Sequence, residues 1–408
     1  MAYKIEGSIV DMTGDGVWPE MSKLIREELI AKTFDVDWKI HDLSLQARDN
    51  TNDKSLDDAI ADLVEHKATV KGPTVTPTPK QTSNMGLSKQ WGSPNGKIRR
   101  AINGAVIMRT PLEPNNIPKN SPKISGVTTA RQAVGGIYGA PNFDVPSKGK
   151  IKIVFEDENG TAQTLAEKQT EKGVALLTTE SDEAIRDFAY ATLGQGLAMN
   201  KSVLFCAKSS IKPVYDTRFS DIFEEVFNEH YADDYKNSGI ELMLRDPAGD
   251  AYLIDGVVSK IPQGKLNNMI IAFQNYDGDV ASDQIAGENS SLGMMDSTLV
   301  SADGILLADP PHGTAPDLDK FWYEDGKLVA NPTAHIFAYA EAIRHKAELN
   351  NQAEGVKLAV ALKEATIATI EAGYMTGDLA GLIEDEGVPA LTAQEFISKV
   401  NETMASQT

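Results

Sequence analysis

The sequence predicts an α/β protein, a mostly parallel sheet with helices packed on both faces. Strand-like apolar stretches and amphipathic helical stretches alternate from the N-terminus onward. Met269 to Phe273 form an unbroken apolar run, as a strand buried on both faces requires. The last hundred residues return to helical periodicity. With 408 residues, 41% of them apolar, the chain can bury two or three cores.

Taken in order, Lys4 to Val10 reads as a strand, Pro19 to Ile30 as an amphipathic helix, and Val36 to Ile40 as a second strand. A helix over about Ser55 to Glu65 leads to a short strand at Ala68 to Val70. The turn after the first strand, MTGDGVWPEM, is not G-x-G-x-x-G, so a standard Rossmann phosphate turn is absent. Lys150 to Phe155 and Thr161 to Leu165 flank Glu158-Asn159-Gly160 as a hairpin, and Asn-Gly suits a tight primed turn. Ser181 can cap a helix that buries Ile185, Phe188, Ala189 and Leu193. Val203 to Cys206 is a short strand and Ser220 to His230 a helix, with further helices at about 333–349, 353–372 and 392–403. The parts interleave, with no repeat and no low-complexity linker.

Composition excludes several function classes. The lone Cys206, within VLFCAK, rules out an intramolecular disulfide framework and a Cys-rich zinc site, and reads as a small buried residue. No run approaches the roughly 18 apolar residues of a membrane span. The opening MAYKIEGSIV lacks the layout of a secretory leader, so a cytoplasmic location is expected, or the mitochondrial matrix after removal of a transit peptide. The net charge of −20 argues against nucleic acid and anionic membranes as partners. Against that background, Asn84 to Arg131 holds eight Lys/Arg and one acid, Glu113, amid five prolines. This basic loop-rich segment is either a solvated face or an anion pocket, since arginine forks match carboxylates.

Two further constellations carry chemistry. In NYDGDVASD, Asp279 and Asp283 lie four apart and share a helix face, an oxygen-only set suited to Mg²⁺ or Mn²⁺, with Asp255 a candidate third ligand. In HGTAPDLDK, beginning at His312, a Gly/Thr/Pro loop can bring backbone N–H groups against a nucleotide, and Asp317 can accept from ribose hydroxyls. Alone, Lys212 reads as a surface lysine and Tyr138 as a core tyrosine. A metal-dependent phosphoryl-transfer enzyme would need a phosphate-cradling loop, and none is visible. A silent acidic binding protein is the third class considered.

The order of VKGPTVTPTPK, WGSPNGKIRR, VIMR, TTARQAVGGIY, IKPVYDTRFSDIFEEVF, LIDG, NYDGDVASD, SSLGMM, HGTAP, NPTAHIFA and TIEAGYMTGDLA resembles the homodimeric isocitrate dehydrogenases of the eukaryotic-like subfamily, over essentially the whole chain. The resemblance implies a large α/β domain from 1–103 and 287–408, a small α/β domain from 104–137 and 187–286, and a clasp at 138–186 that pairs with a second copy. It implies that Thr76, Ser93, Asn95, Arg99, Arg109 and Arg131 contact isocitrate. Asp279 and Asp283, with Asp255 from the other subunit, would hold Mg²⁺ or Mn²⁺. Tyr138 and Lys212, the latter reaching across the dimer, would manage the protons of an oxidative decarboxylation to 2-oxoglutarate and CO₂. Lys71, Thr74, Thr76, Asn95, Gly313, Thr314, Asp317, Leu318 and Asn331 would contact the coenzyme.

Departures from the family pattern set further expectations. NADP-using members carry arginine where Asp317 stands, histidine where Leu318 stands, and arginine where Gln81 stands. The loss of these cations and donors predicts NAD as coenzyme, with NADP the alternative. One extra residue after SPNG leaves both Arg99 and Arg100 as candidates for the clamp, Lys212 lies one residue further from YDxRF than in relatives, and Gly139 replaces a further arginine. An isopropylmalate or homoisocitrate dehydrogenase is the neighbouring alternative, against which Ser93, Asn95 and the arginines argue.

Overall fold

The computed structural model describes residues 2–291, 293–383 and 387–407; Leu292 of the SSLGMM motif lies outside them. The strands, in chain order, are β1 (Tyr3–Thr13), β2 (Phe34–Asp42), β3 (Ala68–Lys71), β4 (Gly104–Pro111), β5 (Thr128–Gln132), β6 (Asn142–Val145), β7 (Gly149–Glu156), β8 (Ala162–Thr170), β9 (Gly173–Leu176), β10 (Val203–Phe205), β11 (Leu242–Met243), β12 (Ile270–Phe273), β13 (Met295–Ser301) and β14 (Leu306–Ala308). Ten of them form one sheet in the order β11-β10-β12-β5-β4-β13-β14-β3-β1-β2. Its two wings are parallel. The centre, β5-β4-β13-β14, is antiparallel.

Side-chain alternation explains how both faces are buried. Along β12, Ile270 and Ala272 enter one apolar cluster, while Ile271 and Phe273 enter another on the opposite face. Along β4, Val106 and Met108 face one cluster and Ile107 faces a third. The largest core surrounds β1, β3 and the helices Thr333–Leu349, Ala353–Glu371 and Ala393–Gln407. Fully burying so many Leu, Ile and Phe side chains is worth about 1.5–3 kcal/mol each before entropy is counted.

Two local expectations are corrected. The helix expected over Pro19 to Ile30 is α-helical at Trp18–Leu24 and then π-helical at Ile25–Ile30. The wider turn lets the adjacent Leu29 and Ile30 both face the core with Ile25. The turn joining β7 to β8 is not a primed one: Gly160 has φ +80° whereas Asn159 stays out of the left-handed region. Instead Asp157 caps a longer loop, its carboxylate accepting from the N–H groups of Asn159 (2.9 Å) and Thr161 (2.8 Å).

β7–β8 and the smaller pair β6–β9 stand apart from the main sheet. Phe143, Val154, Phe155, Leu165, Val174 and Leu176 are exposed on them. Among the described residues, no helix is long and apolar enough to cross a membrane.

Candidate active site

Three arginines meet where the antiparallel centre of the sheet adjoins the parallel wing of β12. Arg109 is on β4, Arg131 is the last but one residue of β5, and Arg99 projects from the helix Pro94–Ala101. With Arg100, Ser93, Asn95, Tyr138, Asn275 and Asp279 they line an open cleft of about 600 Å³. The helix start that carries Ser93 and Asn95 is set by Pro94 at the first helical position, where its missing N–H costs nothing.

The basic segment divides by residue type. Two of its lysines form ion pairs, Lys97 with Asp53 and Asp57 and Lys119 with Glu113. The arginines go to the cleft. Arg99 is half-buried and also lines a small void with Lys71, Arg109 and Asp309, whereas Arg100, at the same cleft, is exposed. Burial, reinforced by Arg99 nearby, pushes the Arg131 guanidinium down to about 10, still a full cation at neutral pH. Arg99 is lowered for the same first reason. Arg109 keeps its Nε buried without a hydrogen-bond partner. Such clustered, desolvated cations with an unused donor call for a multiply charged anion.

Polar and acidic side chains of the helix Asn275–Asn289 hold Arg109 and Arg131. Arg131 Nε donates to Asn275 Oδ1 (3.0 Å) and its Nη1 pairs with Asp279. Arg109 Nη1 donates to Ser282 Oγ (2.7 Å) and Asp283 Oδ1 (2.8 Å). Gly278 allows this helix to lie against Arg131, since a Cβ there would meet Arg131 side-chain carbon at 2.8 Å. Tyr138 donates its hydroxyl hydrogen to Asp279, and the Arg131 guanidinium lies 5.0 Å over its ring. Burial and that carboxylate push the phenol up to about 12, so it holds its proton at neutral pH.

The other predicted groups lie outside this cleft within one chain. Lys212 caps the start of the helix Pro213–His230; its Nζ donates to Gln274 Oε1 (2.7 Å) and pairs with buried Asp216 (3.0 Å). Gln274 in turn donates to Asp216 (2.9 Å) and precedes the helix that carries Asp279. Asp255, at the start of the helix Ile254–Lys260, is exposed and pairs with Lys208 at 2.6 Å. Asp255, Asp279 and Asp283 do not converge within the chain; the described His/Cys/Asp/Glu group that does is Asp62, Glu65 and His66. Asp279 and Asp283 still fit a hard divalent cation, as adjacent oxygen donors on one helix face with arginines and a phenol as their present partners.

The residues assigned to a coenzyme are spread over two stretches. Lys71 is buried at the end of β3, its Nζ donating to Gly72 O (2.9 Å) and Thr74 Oγ1 (3.4 Å). Burial, the dominant cause, brings its pKa down to about 8. Thr76 is exposed in the extended segment beyond it. Gly313 and Thr314 lie in the loop before a 3₁₀ turn, Pro316–Leu318, and Thr314 O accepts from Trp18 Nε1 (2.9 Å). Asn331 Nδ2 donates to Asp378 Oδ2 at 3.0 Å. His312 Nε2 and His335 Nδ1, flanking Trp18, are buried without partners, and burial holds both imidazoles neutral by lowering their pKa. Sequence reasoning missed Asn275, Ser282 and Gln274; all three lie in or beside the NYDGD motif, one turn from the acids that drew attention.

The family profile described as isocitrate/isopropylmalate dehydrogenase matches residues 4–400. The chain is 36% identical over 399 residues to "Isocitrate dehydrogenase [NADP]" of Sphingobium yanoikuyae, covering 96% of this chain and 95% of that protein. It is 33% identical over 410 residues to "Isocitrate dehydrogenase [NADP] 1" of Mycobacterium tuberculosis, covering 99% and 98%. These relatives overturn the expectation of NAD, since both are named for NADP. Gln81, Asp317 and Leu318, the residues behind that expectation, each have a local place in the fold. Gln81 completes a capping box with Thr78, accepting from Thr78 N (2.9 Å) while its own N–H donates to Thr78 Oγ1 (3.2 Å). Asp317 is an exposed acid in the first turn of a helical segment, a favoured place for one, and Leu318 packs against the large core. From residue 4 to residue 400, the chain belongs to the isocitrate/isopropylmalate dehydrogenase family.

Proposed function

We propose that the protein is an NADP-dependent isocitrate dehydrogenase that oxidises and decarboxylates isocitrate to 2-oxoglutarate and CO₂. The observation that carries the substrate is the convergence of Arg99, Arg109 and Arg131 on one cleft with Ser93 and Asn95. The guanidinium groups of Arg99, Arg109 and Arg131, less exposed than that of Arg100 beside them, match three carboxylates, and the polar Ser93 and Asn95 disfavour the isopropyl group of isopropylmalate. Relatives named for isocitrate and NADP, along nearly their whole lengths, support both substrate and coenzyme.

In this reading Asp279 and Asp283 hold Mg²⁺ or Mn²⁺, with Asp255 supplied by a second copy. The cation, when bound, supplies Lewis-acid stabilisation of charge on the substrate's hydroxyl oxygen and the adjacent carboxylate. The chain's own residues supply the rest. Arg109 and Arg131 exchange the carboxylates of Asp283 and Asp279 for those of the substrate, so those acids are freed as the arginines are taken. Tyr138, protonated at neutral pH, donates its hydrogen within the cleft. Lys212, fixed by Gln274 and Asp216, serves the cleft of the other subunit and moves the second proton. Lys71, Thr74, Thr76, Asn95, Gly313, Thr314, Asp317, Leu318 and Asn331 surround the coenzyme, and the exposed cations Lys80 and Lys320 are the nearest in sequence to Gln81 and Asp317 for its extra phosphate.

A homodimer follows from the same reading. The divisions 1–103 with 287–408, 104–137 with 187–286, and 138–186 are large domain, small domain and clasp. The exposed apolar residues of β6–β9, around an open groove of about 570 Å³, support a clasp contact. The test is turnover of isocitrate with Mn²⁺ and NADP, against isopropylmalate and homoisocitrate as competing substrates. Turnover of either competitor in preference to isocitrate overturns the reading.

A further inference from the structure

We propose that Glu180 is a positioning residue which, from one carboxylate, fixes both the turn that presents Tyr138 and the helix start that presents Lys212. The inference rests on the roles given to those two residues above, and extends them to a group that no motif singled out.

Glu180 lies between β9 and the helix Asp182–Met199, half-buried. One oxygen, Oε1, accepts from the backbone N–H of Gly136, the first residue of the 3₁₀ turn Gly136–Tyr138. The other, Oε2, accepts from Gln132 Nε2 at 3.1 Å, at the end of β5 and next to Arg131. Oε1 also accepts from Tyr215 OH at 3.4 Å. Tyr215 is three residues past Lys212 on the helix Pro213–His230, and Lys212 Nζ lies 5.2 Å over its ring. Two segments distant in sequence therefore converge on one side chain, and each carries a proposed proton-handling group.

The backbone beside it is shaped to this contact. Gly135 has φ +83°, and a Cβ there would meet Glu180 Oε1 at 2.3 Å. A residue with a side chain would be strained at that φ and would push the carboxylate out. Among the described residues Glu180 has no salt bridge, so its charge is held by neutral donors alone; burial raises its pKa against those hydrogen bonds. An unpaired, half-buried carboxylate is costly where only bulk is needed, and its use follows from the three donors that must be satisfied together. Because Tyr138 belongs to the chain's own cleft and Lys212 to the other subunit's, this strut links the two sites of the proposed dimer.

The test compares Glu180→Ala, Glu180→Gln and Tyr215→Phe in the full-length protein, by steady-state kinetics and by backbone deuterium uptake at segments 133–140 and 210–216. Glu180→Ala is expected to lower kcat about tenfold to hundredfold, the range that small misplacement of catalytic groups produces, with KM for isocitrate within about threefold. Glu180→Gln keeps an acceptor for Gly136 N–H and is expected to recover most of that loss. Deuterium uptake should rise at both segments in Glu180→Ala, and at 210–216 alone in Tyr215→Phe. Unchanged kcat in Glu180→Ala, or uptake that rises evenly over the whole chain, overturns the proposal. If the wild-type protein does not turn over isocitrate, the functional reading fails, while the uptake pattern still decides whether Glu180 couples the two segments.

Discussion

Arg109→Gln separates the two duties assigned to the clamp. The Arg109 side chain is 11% exposed, its Nη1 holds Asp283 and Ser282, and its Nε is buried and unused. Removing one partner from a desolvated, hydrogen-bonded charge pair costs about 2–5 kcal/mol. A loss of about 3 kcal/mol in substrate binding corresponds to roughly a 150-fold rise in the isocitrate KM, at 1.4 kcal/mol per tenfold. The same substitution frees Asp283 in the unliganded protein. Mn²⁺ alone should therefore bind more tightly, by about two- to fivefold for release of a partly exposed ion pair worth at most ~1 kcal/mol. The assays are initial rates at saturating NADP and Mn²⁺ titration without substrate. An isocitrate KM within threefold of wild type would refute the clamp, and weaker Mn²⁺ binding would refute the exchange of partners.

Other expectations follow from single groups. Asp279→Asn should lower Mn²⁺-dependent kcat at least about a thousandfold, since several kcal/mol of charge stabilisation are lost, and EDTA should reproduce that loss reversibly in the wild type; activity that survives chelation would count against a metal at this helix. Lys212→Met should abolish turnover while isocitrate binding by calorimetry stays within a few fold, and full activity would move its proton transfer elsewhere. Lys320→Ala should raise the KM for NADP about tenfold, and no change would remove this cation from the coenzyme site. The buried network of Glu341, Lys363, Arg344 and Asp296 gives a pH dependence. Burial opposes the Glu341 charge, but Lys363 and Arg344 prevail and lower its pKa to about 2. A carboxyl lower in the folded than in the unfolded chain stabilises above about pH 4.5 and loses that contribution as pH falls toward 2. Asp296, raised by burial, offsets part of it. Tm should fall through that window, and Lys363→Met should cost about 3–5 kcal/mol and blunt the slope.

Local signals were legible in the sequence where one residue's environment decides the outcome. The apolar run ending at Phe273, the Ser181 cap and the spacing of Asp279 and Asp283 all depend on near neighbours, and each is present. The antiparallel centre of the sheet was not legible, because β4, β5 and β13 meet over separations that periodicity does not encode. The charge excess of Asn84 to Arg131 was visible, but not that Lys97 and Lys119 would pair with acids while Arg99, Arg109 and Arg131 line the cleft. At Gln81 the local signal is in the sequence: Thr78-Pro79-Lys80-Gln81 is a capping box with proline at the first helical position. Glu180 left no sequence signal, since its three donors come from residues 132, 136 and 215.

The central claim is tested most directly by reduced-coenzyme absorbance with isocitrate and Mn²⁺, run with NADP and NAD in parallel and repeated with EDTA. Rapid NADPH formation that stops on chelation is the expected result. NADH formation with no NADPH would contradict the coenzyme assignment. Silence with both, while homoisocitrate or isopropylmalate is oxidised, would contradict the substrate drawn from the three arginines.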